Sequence, residues 1–252
     1  MKISKKIIGI AGMIMLSMYL FAQEQTVQKA NTENTNSSKK SESSVEDEYL
    51  SEIDGVVILS LAQSDEYDNK LVAMQFLEDA VDNGNTNADV MKALNQLAGE
   101  GISTQSRTNG RLMNNYPDIR RRACLALGKV KTEESKNYLV KVTLAENEPM
   151  VIAAAVNSLG EIGINGNDEV VDAIAYANRR NQILNPTSSL AFEVIEAYEK
   201  LAENTNNKKI VIDSLTKIAA DYHYASPVRS RAMKVLKAIN EGNSSSSKSS
   251  KQ

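Results

Sequence analysis

The 252-residue chain has one cysteine, one histidine, no tryptophan, three phenylalanines and only four prolines. A single cysteine, Cys124, excludes an internal disulfide framework, so stability has to come from packing. Cys124 itself reads as a small buried apolar residue. With one histidine and one cysteine there is no HExxH, paired-His or paired-Cys pattern to hold a metal, and no glycine-rich loop to cradle a phosphate. Gly163-Ile-Asn-Gly-Asn167 reads as an interhelical turn. His223 lies in Asp221-Tyr-His-Tyr-Ala-Ser226, but no nucleophile elbow surrounds Ser226, which fits better as a helix cap. No catalytic, metal or cofactor-binding residue is assigned, and the expectation is a protein that is not an enzyme. What remains is rich in Ala, Leu, Val, Ile, Lys, Glu and Asn with few punctuating residues, which predicts an all-α domain.

No apolar run reaches the roughly 20 residues that a helix needs to cross a bilayer. The longest, residues 7–21, follows Lys2, Lys5 and Lys6 and ends in Leu20-Phe-Ala22, the layout of a secretory signal peptide with cleavage after Ala22. An uncleaved N-terminal anchor is the alternative. Acylation would need a cysteine at the cleavage site, and none is there. Residues 23–48 are polar and charged and read as a disordered linker, and residues 242–252, Gly-Asn-Ser-Ser-Ser-Ser-Lys-Ser-Ser-Lys-Gln with the glycine at 242 onward, as a disordered tail. The folded part is expected over 49–241, in an exported, periplasmic setting.

Within that part the chain repeats itself. Pro117-Asp-Ile-Arg-Arg-Arg-Ala-Cys-Leu-Ala-Leu-Gly128 aligns without a gap on Pro149-Met-Val-Ile-Ala-Ala-Ala-Val-Asn-Ser-Leu-Gly160, a period of 32 residues. Ile119, Ala123, Leu127 and Gly128 coincide with Val151, Ala155, Leu159 and Gly160. The frame returns as Ala191 and Ile195 after Thr187, as Val228, Ala232 and Leu236, and earlier as Ala73 and Leu77. Between the copies lie second helical patterns: Val90, Met91, Leu94 and Leu97; Leu139, Val142 and Ala145; Val170, Val171, Ile174 and Ala175; Ile210, Ser214, Leu215 and Ile218. Each repeat is therefore a helical hairpin. One hairpin cannot bury its apolar face alone, so neighbours must stack, with the small alanine at each helix crossing. Prolines 117, 149 and 227 suit first turns, and Gly128 and Gly160 are expected where helices end or bend.

The pattern Pro-x-Ile/Val-Arg-x-x-Ala-x-x-x-Leu-Gly resembles HEAT repeats, especially the short bacterial kind found in phycobilisome lyases. Ile119, Arg120, Ala123, Leu127 and Gly128 carry the resemblance, which is strong over 118–162, moderate over 187–240 and weak over 50–100. It implies an α-α superhelix of about four hairpins plus a C-terminal capping helix, and a scaffold that grips a partner along its inner, second helices. It carries no lyase activity across, because the shared residues are the packing frame.

Charge is unevenly spread. Without its three signal lysines the chain keeps 26 of its 29 bases against 32 acids, a formal −6. Yet Arg107–Lys131 holds seven bases and one acid, whereas Asp65–Glu100 holds eight acids and two lysines. The basic segment overlaps residues 101–116, which stretch the alanine spacing to 50 residues and form an insertion in the repeat. Arg107, Arg111, Arg120, Arg121 and Arg122 are thus candidate partner-binding residues. Export and the acidic balance argue against nucleic acid. The expected partner is a protein, with peripheral envelope association; a structural part of an envelope assembly and a lyase-like small-ligand binder are the alternatives.

Overall fold

The computed structural model describes residues 45–249, with side chains from 54 to 241. The signal peptide, its cleavage at Ala22 and the linker up to residue 44 lie outside the described residues. The chain between is an all-α, HEAT-like solenoid of ten α-helices among the described residues: α1 Val45–Gln63, α2 Tyr67–Asp82, α3 Ala88–Ala98, α4 Pro117–Val130, α5 Glu133–Ala145, α6 Pro149–Ile162, α7 Glu169–Leu184, α8 Ser188–Leu201, α9 Lys208–Ala220 and α10 Ser226–Ser249. The pairs α2/α3, α4/α5, α6/α7 and α8/α9 are the four hairpins, and α10 caps the last. Two boundaries differ from expectation. Helix α1 begins at 45, inside the expected linker, and packs on α2 and α3, while α10 continues to 249, through most of the expected tail.

Local chemistry sets the starts and stops. Pro117 and Pro149 open α4 and α6, where a missing N–H leaves no hydrogen bond unmade. Asn87 Oδ1 accepts from the N–H of Val90 at 2.9 Å and Thr132 Oγ1 from Ser135 at 3.2 Å, capping α3 and α5. Ser226 does not cap α10: it is the first helical residue, and the Ala225 carbonyl before it accepts the first bonds. Gly163, at φ 73°, ends α6 in the left-handed conformation and returns its N–H to Leu159.

First helices α4, α6, α8 and α10 pack side by side in one layer, second helices α5, α7 and α9 in another, and the core runs continuously between them. Ala73, Ala123, Ala155, Ala191 and Ala232 are all at most 1% exposed, as are Ile119, Val151, Leu127, Leu159 and Ile195. The frame slips at the end. Leu236 is half-buried and Val235 takes the core position, because α10 has no following repeat to cover it. Gly128 and Gly160 do not end their helices, which run on to Val130 and Ile162. A Cβ on Gly128 would lie 2.5 Å from Ser158 Oγ and 2.9 Å from its Cα, and one on Gly160 would lie 2.9 Å from the Ala197 Cα. They are the points where neighbouring first helices touch backbone to backbone. Ser158 Oγ uses the closeness to donate to the Cys124 carbonyl at 2.9 Å.

The insertion is ordered. Arg107–Thr108 pairs antiparallel with Arg111–Leu112 as strands β1 and β2, turned by Asn109 (φ 51°) and Gly110 (φ 78°). Asn-Gly between two short strands is the preferred signal for a tight hairpin, and the sequence carried it.

Candidate partner-binding groove

Successive residues of a helix are about 100° apart, so positions two before and two after a residue lie within about 40° of each other on the opposite face. Around the buried alanines these positions are Arg121 and Leu125 on α4, Ala153 and Asn157 on α6, and Ser189 and Glu193 on α8. With Met150 and Ala154 they line one groove of about 420 Å³ across the outer face of three consecutive first helices. Its floor is small and apolar. Arg121 stands exposed on one wall and makes no ion pair with any described residue. On the other, Asn157 Nδ2 donates to Glu193 Oε2 at 2.8 Å, fixing the carboxylate. The groove is thus positive at one side and negative at the other, with a half-exposed Met150 (52%) between helices.

The five candidate arginines are not brought together. Arg120 is 2% exposed and belongs to the interior, which removes it from any partner surface. Its guanidinium meets both oxygens of Glu146, Nε at 2.6 Å, and donates to the Glu100 carbonyl and Asn115 Oδ1 at 3.0 Å each. Arg122 is taken up by Glu78, at 2.6 and 2.8 Å, and Lys129 by Asp82 at 2.5 Å. Two bases of the basic block are thus paired with two acids of the acidic block between α2 and α4. Arg107 and Arg111 stay exposed on the hairpin, and Arg121 in the groove.

Behind the hairpin sits a buried polar network. Lys70 Nζ donates to Glu100 Oε2 at 3.0 Å and to the Ala62 carbonyl; Asn114 Nδ2 donates to Glu100 Oε1 at 2.6 Å and to the Thr104 carbonyl. It anchors both ends of the insertion to α1 and α2, and Arg120 ties them to α4.

The second helices offer less than expected. Val90, Leu94, Leu139, Val142, Val170, Ile174 and Leu215 are buried between the layers, Ile210 is half-buried and Ala145 is exposed. Away from their last turns, the large apolar side chain that these helices expose is Tyr176. The first helices expose Val72, Phe76, Met150, Phe192 and Met233. The groove was legible in principle: it follows from the alanine frame by counting two residues each way.

His223 Nδ1 lies 2.7 Å from Asp221 Oδ1, and its ring stacks on Tyr222, but no hydrogen bond joins it to Ser226. Cys124 is wholly buried, and burial pushes its thiol up to about 12. Among the described residues no group of three or more His, Cys, Asp or Glu could hold a metal ion, and no helix is long and apolar enough to cross a membrane.

Residues 111–181 match the family of HEAT repeats. That stretch contains both copies of the 32-residue repeat. A solved structure, the complex of CpcE and CpcF of phycocyanin lyase from Nostoc sp. PCC7120, is similar over 86% of this chain and 70% of that one, with a TM-score of 0.51 at 16% identity. At that identity the likeness is one of fold. No curated protein matches the chain.

Proposed function

We propose that the protein is an exported, non-enzymatic scaffold that holds a segment of a partner protein in the groove across α4, α6 and α8. The observation that carries this reading is the repetition: equivalent positions of three successive repeats build one continuous surface, as scaffolds of stacked hairpins do. The lining favours a polypeptide. A small-molecule site is mostly hydrophobic and aromatic, whereas this one has no aromatic residue and ends in Arg121 on one side and Glu193 on the other. The solved complex with the same fold is itself an assembly of two proteins. Export is supported by the lysine-led apolar run at residues 2–21.

A photo-crosslinking residue at Asn157 tests the binding surface, with one at Asp172 on the second-helix layer for comparison. A discrete adduct from Asn157, lost on Arg121→Glu with Met150→Glu, supports the groove. Equal adducts from both positions, or survival of the adduct in the double variant, would refute it. Export is tested separately: the N-terminus of the protein recovered from the envelope fraction should be Gln23.

A further inference from the structure

The turns of the solenoid lie along two edges of opposite character. On one, residues 83–87, 131–132, 163–168 and 202–207 are dominated by Asn, Gly and Thr, and no large apolar side chain is exposed there. Asp168 organises part of it, accepting from the N–H groups of Asn206 and Asn207 at 2.9 Å. The other edge carries the turns that lead from each repeat to the next. Hydrogen bonds tie these together: Arg120 joins residues 100 and 115 to Glu146, Arg180 donates to the carbonyls of Leu144 and Glu146, and Gln182 donates to Asp221 at 3.2 Å. Along this row stand Met113, Leu144, Ile183, Leu184 and Tyr222. The last three are 75%, 74% and 79% exposed, the highest values among the exposed large apolar side chains of the described residues.

We propose that this edge docks on the surface of a membrane bearing anionic headgroups. Charge complementarity points there. The hairpin presents exposed Arg107 and Arg111, and Arg180 is half-exposed, while of the acids in these turns Glu100 is bound to Lys70, Glu146 to Arg120 and Asp221 is held by Gln182 and His223; Glu148 is exposed, as are Asp65 and Glu66 in the turn that opens α2 beside Tyr116. The shape points the same way. Side chains exposed by three quarters have no walls around them, whereas a protein hot spot needs a packed, desolvated pocket. A fluid interface accepts single projecting side chains, with tyrosine at the headgroup level and arginine beside anionic lipid. With a formal charge of −3, the chain as a whole has no general attraction to such a surface, so binding has to come from the edge. The buried network behind the hairpin ties down the ends of the insertion that carries these two arginines. The partner groove lies on the layer face, so the two surfaces leave each other free.

Vesicle co-sedimentation tests this on residues 23–252, which retain every described contact and lack the N-terminal apolar run. The probes are vesicles of phosphatidylcholine alone and with phosphatidylglycerol. The protein should sediment with the anionic vesicles and fall off with added salt. Each arginine near an anionic surface is worth about fivefold in affinity, so Arg107→Gln with Arg111→Gln should lose roughly 25-fold. Ile183→Ser, Leu184→Ser and Tyr222→Ser together should lose more than roughly tenfold. Lys92→Gln, a cation of equal charge in the first half of α3, should change nothing. All variants replace exposed side chains, and helicity by circular dichroism verifies their folds. Failure of the wild type to bind anionic vesicles, or equal binding by either edge variant, overturns the proposal. So does an edge variant that loses only a co-purifying protein, which would make the edge a protein contact.

Discussion

Gly160→Ala sets two physical effects against each other. Helix propensity alone favours the change: glycine in a helix interior costs about 0.5–1 kcal/mol relative to alanine. The contact opposes it, because the new methyl would come within 2.9 Å of the Ala197 Cα and 3.1 Å of its Cβ. A backbone atom cannot step aside as a side-chain tip can, so α6 and α8 would have to separate. Overpacking of this kind costs about 1–3 kcal/mol, which outweighs the propensity gain and leaves a net loss of about 1–2 kcal/mol. For a domain of this size the thermal midpoint should fall by roughly 2–8 °C, read by circular dichroism at the helix band. Ala197→Gly in the same chain should recover part of the loss, since it removes the 3.1 Å contact and leaves the other. An unchanged or raised midpoint for Gly160→Ala would mean that the first helices do not meet there, and the close-packed first layer would be wrong.

Arg120→Met leaves Glu146 buried with only the N–H groups of Asn147 and Glu148, which should cost about 3–5 kcal/mol in urea unfolding; the double variant with Glu146→Gln should regain part of it, and a cost under about 1 kcal/mol would contradict a buried pair. Cys124 should resist a thiol reagent at pH 8 until the protein unfolds, because its thiol is buried and raised to about 12; labelling of the native protein would show that the helix crossing opens. The Asp221 carboxyl is held below its ordinary range, chiefly by the His223 backbone N–H, then by the Gln182 amide and the His223 ring. A lowered carboxyl stabilises the fold above the unfolded value and loses that contribution as pH falls through the folded one, so Asp221→Asn should lower the thermal midpoint at pH 6–7 and converge with wild type once acid has protonated the native carboxyl; a difference that persists in acid would assign the effect to packing.

The alanine frame was readable because it is a local, periodic signal: Ala123 and Ala155 sit in identical surroundings 32 residues apart, and a helix repeats its faces by counting. The same counting reaches the groove at Arg121, Asn157 and Glu193. The hairpin had its signal too, in Asn109-Gly110, but reading residues 101–116 only as an insertion passed over it. The fate of each charge was not. Arg120, Arg121 and Arg122 are neighbours in sequence, yet one is buried on Glu146, one is exposed and one is paired with Glu78, 44 residues away. A helix sends consecutive residues in different directions, and only the stacking of repeats decides what each direction meets. Gly128 and Gly160 show the same division. Their recurrence was plain in the sequence, but a glycine is equally suited to ending a helix and to admitting a neighbour, and the approach of Ser158 and Ala197 selected the second role. Periodicity along the chain thus determined the hairpins and their core, while burial, ion pairing and the two unlike edges arise from partners tens of residues distant and exist only once the repeats are stacked.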